Sequence, residues 1–276
     1  MRENHAPGET RWQPARPLLP SGSGRVAIIV DDVGYDTDEM KDFAALDYPL
    51  TFSILPGVPG SRELARECAA SGFQVMLHLP MEPLNSRLNP GPGCIMVDMT
   101  DEQIAALVEE HVADVPQAVG VNNHMGSRAT ADARVMRAVL SVLRRRGLFF
   151  VDSLTTGSSV APEVAAELGV PYAARSVFLD TSFSPEPADA AKFFDSAQER
   201  MRQLGGLAQR RGAAIGICHY HSQTARMLGY LLPELKRAGM EVVSVSQLVG
   251  SARPRPATTP RGPERPPRSY EPAEAR

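Results

Sequence analysis

Short aliphatic runs alternate with longer amphipathic stretches along most of this chain, and that alternation constrains its fold more than any other feature. "RVAIIV", "LTFSIL", "FQVML", "AVGVN", "LFFV", "AAIGIC" and "EVVSV" have the length of strands. Between several of them lie "MKDFAAL", "SRELARECAA", "ARVMRAVLSVLRRRG" and "TARMLGYLLPELKRAG", with apolar residues at helical spacing. Strands that are apolar on both faces and alternate with helices are joined by βα crossovers into a buried parallel sheet. The expected class is therefore α/β. At 276 residues and 43% hydrophobic, the chain can bury a sizeable core.

Local signals agree with this reading. Thr100 and Gln103 form a capping box ahead of Ile104, Leu107 and Val108, and Asp36 with Glu39 is a second candidate. Gly147 and Gly239 follow basic turns and read as helix C-caps. Residues 79–98, "LPMEPLNSRLNPGPGCIMVD", make a long Pro- and Gly-rich loop, either a functional lid or a poorly ordered excursion. Residues 1–24 lack periodicity, and 251–276 hold seven Pro and six Arg, so a disordered arm and tail are expected around a domain of residues 25–250.

A net charge of -3 gives no global field for nucleic acid or an anionic membrane surface, and neither is expected as a partner. Cys68, Cys94 and Cys218 show no metal-ligand spacing and read as incidental core thiols. No stretch reaches the ~18 apolar residues of a membrane span. The N-terminal stretch lacks the apolar core of an export signal.

In parallel sheets and barrels, working polar groups gather where the strands' C-terminal ends leave the core. Here "AIIV" is followed by Asp31 and Asp32, "FQVML" by His78 and then Glu82, and "AVGV" by Asn122, Asn123 and His124. "LFFV" is followed by Asp152 and Ser153, and "AAIGIC" by His219 and His221. His5 and His111 fall in the arm and on a predicted helix and receive no role. Singly, such residues are caps, turns or hydrogen-bonded core histidines; together they make one rim. Two imidazoles and a carboxylate from separate strands form a three-ligand set with room for water, as in hydrolytic divalent-metal sites. There water becomes acidic and a carbonyl is polarised, while a second carboxylate and a histidine move protons.

"IIVDDVGY", "TFSILP", "HLPMEP", "GVNNHMGSRAT", "FFVDSLTT", "VFLD" and "GICHYHSQT", in this order, resemble the divergent polysaccharide deacetylase family of the NodB-homology carbohydrate esterases. The resemblance implies a distorted (β/α) barrel of about seven strands. It also implies a metal-dependent hydrolase, usually with zinc, that removes acetyl groups from a polysaccharide or cell-wall glycan in an envelope or periplasmic setting. It makes Asp31 the general base and Asp32 a metal ligand. The wider superfamily's H-x-x-x-H motif reads His78-Leu79-Pro80-Met81-Glu82 here, so the second histidine is absent. Either Glu82 replaces it or His124 completes the set; Asp32, His78 and His124 are the ligands chosen, with Glu82 the alternative. The resemblance makes His219 the general acid, with His221 as a substitute, and has Asp152 hold a histidine or the base. Arg128 and Arg175 are candidates for an anionic substrate group or for structural ion pairs.

The broken motif keeps open a second class, a non-catalytic glycan-binding or scaffold protein on the same fold. A phosphoryl-transfer domain is disfavoured: it needs a lysine at a later strand end, whereas Lys41, Lys192 and Lys236 lie in predicted helices.

Overall fold

A computed structural model describes residues 22–35, 39–180 and 187–249, the side chains of 187–191 excepted. Most of the expected arm, the whole tail, His5 and Asp36 of the second candidate capping box lie outside the described residues. The chain runs β1 (Gly24–Val33), α1 (Met40–Ala44), β2 (Thr51–Ile54), α2 (Ser61–Ala70), β3 (Gln74–Met81), α3 (Asp101–Asp114) and β4 (Gly120–Met125). It continues through α4 (Ala133–Arg146), β5 (Phe149–Asp152), α5 (Ala161–Leu168), β6 (Tyr172–Ala174), β7 (Val177–Phe178), α6 (Pro187–Arg211), β8 (Ala213–His219), α7 (Ser222–Arg237) and β9 (Met240–Val242). β1 takes in Gly24, which the sequence places in the arm, because Gly24 pairs with Met240 of β9.

The capping box at Thr100 and Gln103 opens α3, and Gly147 closes α4 in the left-handed region. Gly239 (φ 87) turns the chain just beyond α7.

The strands form one sheet in the order β6-β5-β4-β3-β2-β1-β8-β7, with β9 on β1, and every pairing is parallel. The sheet curls into the expected distorted barrel. β6 and β7, three and two residues long, bring the strand number above seven because runs that short leave no periodic signal. They are also where the ladder is interrupted. A single stretch crosses the gap, Arg175 N donating to Asp152 O and Ser176 N to Ile215 O.

Strand alternation splits the core in two. Val26, Ile28, Val30, Leu77, Val121 and Phe150 face outward and pack with helix residues such as Leu64, Val108, Leu140 and Leu228. Ala27, Ile29, Met76, Phe149, Val151, Ile215 and Ile217 face inward and pack on one another and on Val243, Val245 and Leu248. The segment after β9 thus plugs the N-terminal end of the barrel. Gln74 fixes it by donating to Ser246 Oγ (2.7 Å) and accepting from Ser246 N (2.9 Å), and Thr51 Oγ1 accepts from Val245 N (3.2 Å). Only the other end is left to carry a site. Among the described residues no helix is long and apolar enough to cross a membrane.

The 79–98 loop is neither of the expected alternatives in simple form, because it is pinned. Ile95 bridges Met81 as a strand would, with Glu82 N donating to Ile95 O and Ile95 N to Pro80 O (both 2.9 Å). Buried His111 of α3 donates from Nε2 to Gly93 O at 2.7 Å. Gly93 is required there: its φ is 66, and a Cβ would lie 2.4 Å from the His111 ring.

If residues 243–249 plug the barrel, Leu248→Ala should remove about 2–5 kcal/mol of stability, read as a lower denaturant midpoint. An unchanged midpoint would mean that the plug is not part of the core.

Candidate functional site

The inward parity that builds the floor also builds the site. Two residues beyond the last inward apolar side chain, Ile29 gives way to Asp31, Met76 to His78, Val151 to Ser153 and Ile217 to His219. On β4 the inward positions are Asn122 and His124, and on β2 they are Thr51 and Ser53. Cross-strand register sets His78 beside Asn122, Pro80 beside His124, and Asp31 beside His219.

Adjacent strand residues should face opposite ways, yet both Asp31 and Asp32 reach His78. The β1–β2 register shifts between Val30 and Val33, and Asp32 has φ 63, a left-handed conformation that Asp tolerates better than most residues. The turn brings Asp32 Oδ1 to 3.1 Å from His78 Nε2 and 2.9 Å from His124 Nδ1, with 3.2 Å between the two nitrogens. Asp31 Oδ2 lies 3.7 Å from His78 Nε2.

These three atoms fit a metal ion. Asp32 Oδ1 is buried, and two ring nitrogens face it. A tetrahedral ion with ligand distances of about 2.0–2.1 Å has ligand–ligand edges of about 3.3 Å, close to the separations seen. Among the described residues, Asp32, His78 and His124 are the one His/Cys/Asp/Glu group arranged to hold a metal. Electrostatics point the same way. Burial works against charge on Asp32, but the contacts and charges of His124 and His78 outweigh it and hold the carboxyl well below its ordinary range. Burial also opposes charge on His78, and Asp31 and Asp32 more than offset it, raising that imidazole. Burial raises the Asp31 carboxyl, with the Asp32 charge adding to it against the pull of His78 and His219.

Across the rim, His219 Nδ1 meets Asp180 Oδ1 at 2.7 Å, while Asp180 Oδ2 accepts from His219 N (2.8 Å) and Thr224 Oγ1 (2.9 Å). The ring stacks on Phe178, and the Arg175 guanidinium lies 3.7 Å from the centroid of the same phenyl ring. Burial disfavours the imidazolium, and the Asp180 hydrogen bond and charge overcome it, pushing His219 up to about 9. His221 instead caps α7, its Nδ1 accepting from Gln223 N at 3.1 Å.

Two sequence expectations are corrected. Asp152 has the outward parity of Phe150, so its carboxylate accepts from Leu154 N (2.8 Å), Ser159 Oγ (2.6 Å) and Tyr172 Oη (3.3 Å) and touches neither a histidine nor Asp31. Asp180 holds the histidine instead. It follows Val177–Phe178, and the "VFLD" string carries the same sign as the other strand ends, a carboxylate just past an apolar run, in a strand too short to stand out. Glu82 is also not brought to the cluster. In an extended strand it lies about 13 Å along the chain from His78, and its carboxylate accepts from Val97 N (2.7 Å) and Arg128 Nη1 (2.8 Å). Arg128 is thus a structural ion pair. Arg175 donates to Ser153 O (2.7 Å) and Leu154 O (3.0 Å), and burial lowers it to about 10.

A family model described as divergent polysaccharide deacetylase matches residues 28–249. The chain belongs to this family. It is 34% identical over 239 residues to the uncharacterized protein YibQ of Escherichia coli K12, covering 87% of this chain and 72% of that one. An uncharacterized protein of Haemophilus influenzae is 35% identical over 204 residues, covering 74% and 69%. A crystal structure of an uncharacterized protein from Agrobacterium tumefaciens C58 matches with a TM-score of 0.73 at 22% identity, over 86% of this chain and 92% of that one, a likeness of fold. The match to the family begins within β1 and runs past β9, and so includes every residue of the site.

The raised His219 value has a direct test. Its ring resonances should titrate near 9 in the native protein and return toward 6.5 in Asp180→Asn. A folded-state value raised above the unfolded one gives stability that is full below the unfolded value and is lost as pH rises through the folded one. The pair's contribution should therefore be intact below about 6.5 and gone above about 9, and the variant should lack that pH dependence.

Proposed function

We propose that this protein is a metal-dependent deacetylase that removes acetyl groups from a polysaccharide or cell-wall glycan of the envelope. The observation that carries the reading is the convergence of Asp32, His78 and His124 at one barrel mouth, flanked by Asp31 on one side and the Asp180–His219 pair on the other.

A divalent metal, with zinc the first choice, would be held by Asp32, His78 and His124, and when bound it would acidify water and polarise the acetyl carbonyl. The protein's own groups do the rest. Asp31 Oδ1 is occupied by the Asn122 amide (2.8 Å), which leaves Oδ2 to take the proton of the attacking water. Its raised carboxyl value suits a base that must later release that proton. As the carbonyl carbon parts from its amine or hydroxyl, the leaving atom needs a proton. His219 supplies it from Nε2, since Nδ1 is committed to Asp180 and the ring is protonated near neutral pH. The products are acetate and the free amine or hydroxyl.

Acetate release from N-acetylated oligosaccharides and bound zinc should be measured together. Asp32→Asn should lose both. Asp31→Asn and His219→Ala should keep zinc and lose about 10²–10⁴ in rate. Chelation should abolish hydrolysis and zinc restore it. Full activity of Asp32→Asn, or after chelation, would refute the proposal, and stoichiometric zinc with no hydrolysis of any acetylated sugar would favour a glycan-binding protein.

A further inference from the structure

We infer that Asn122 is a positioning residue that sets which nitrogen His78 presents to the Asp32–His124 cluster, and that the same amide holds Asp31 in place. Asn122 is fully buried between them. Its Nδ2 donates to Asp31 Oδ1 at 2.8 Å, and its Oδ1 lies 2.8 Å from His78 Nδ1 and accepts from the Ser53 hydroxyl.

The logic runs through what each group can donate. An ionised carboxylate only accepts, so Asp31 fixes the NH₂ end of the amide toward itself. The carbonyl end must then face Ser53 and His78. A carbonyl oxygen cannot bond to a ring lone pair, so His78 turns an N–H on Nδ1 toward it. A neutral imidazole has one N–H. Nε2 is left with its lone pair, aimed at the point shared by Asp32 Oδ1 (3.1 Å) and His124 Nδ1 (3.2 Å). The other tautomer would put that proton between Nε2 and Asp32 Oδ1 and leave the Nδ1 lone pair against the Asn122 carbonyl, so the proton's place turns on which of two buried acceptors is left unmet, at about 1–3 kcal/mol for such a group.

The backbone makes the arrangement hard to evade. His78 and Asn122 are register partners on adjacent strands, and Ser53 comes from the next strand over. Three parallel strands therefore deliver a ligand, an orienting amide and a hydroxyl to one layer. His124 lies two residues beyond Asn122 on the same face of β4. One strand thus supplies both a candidate ligand and the group that prepares its partner.

The test begins with the metal-free native protein at a pH above the imidazolium range. Long-range ¹H–¹⁵N spectra should show His78 as the Nδ1–H tautomer. The Nε2–H form would overturn the inference whatever any variant does. Asn122→Leu, which keeps the bulk and removes both polar ends, should shift His78 to the other tautomer and weaken zinc binding about 10- to 100-fold, as loss of an orienting partner does. Asn122→Asp keeps an acceptor for Nδ1–H and should retain the native tautomer and zinc affinity within a few-fold. Retention of the native tautomer and full zinc affinity in Asn122→Leu, or equal loss in both variants, would refute the positioning role. The inference rests on the metal reading only for the zinc measurement. Failure of the native protein to bind zinc would sink that reading, and the tautomer would still decide this one.

Discussion

The structure depends on how two adjacent carboxylates are accommodated at the end of a buried strand. Asp31 is 3% exposed. A charge so placed must be met by donors or by positive groups, or it neutralises. Asn122, His78 and His219 meet it from strands on both sides of β1. Asp32 is handled differently. A register shift and a left-handed backbone turn it out of the strand's alternation and into the same cluster. Without that irregularity, Asp32 would point at the helices and be lost to the cluster. The shift at Val30–Val33 is therefore a condition of the site.

Much of this was legible from the chain. The aliphatic runs gave the parallel sheet, and the polar residues behind them gave the rim, because both signals come from the same physics of buried strands opening to solvent at one end. Residues whose roles turn on parity were not legible. Asp152 and Asp180 each close an apolar run, and a string of letters does not say which strand starts inward. Asp152 is paired with Phe150 outward, whereas Asp180 follows a two-residue strand whose partner β8 brings His219 to it. Asn122 was visible at its strand end, but its function depends on register with His78, which only the pairing of β3 and β4 supplies.

The placement of Glu82, four residues past His78, follows the same geometry. Residues 78 and 82 converge on one ion when the segment between them is coiled. Here β3 continues to Met81 and the segment is extended, so position 82 lands beyond the cluster. There it ties the 79–98 loop to the turn after β4. Its carboxylate binds Val97 N and Arg128, its carbonyl accepts from Arg128 N and Ala129 N, and its own N–H reaches Ile95. Gly126 in that turn has φ 84 and no room for a Cβ against Met81. The chain must therefore reverse sharply just after His124, and Glu82 grips it on the far side of the reversal.

A parallel neighbour lies about 4.8 Å away across the sheet, so a side chain that cannot come from further along β3 can come from β4. There the residue beside His78 is Asn122, and His124 stands two residues further on, opposite Pro80 and on the same face. A histidine at 82 would have added no negative charge, and Glu82 has its own compensated by Arg128. Against the cost of burial, Asp31 and Asp32 raise His78, and the Asn122 hydrogen bond adds to their effect. A metal held at the cluster, as proposed, would compete with the protons that these carboxylates attract. Its occupancy would then be coupled to pH through the pair of carboxylates that ends β1.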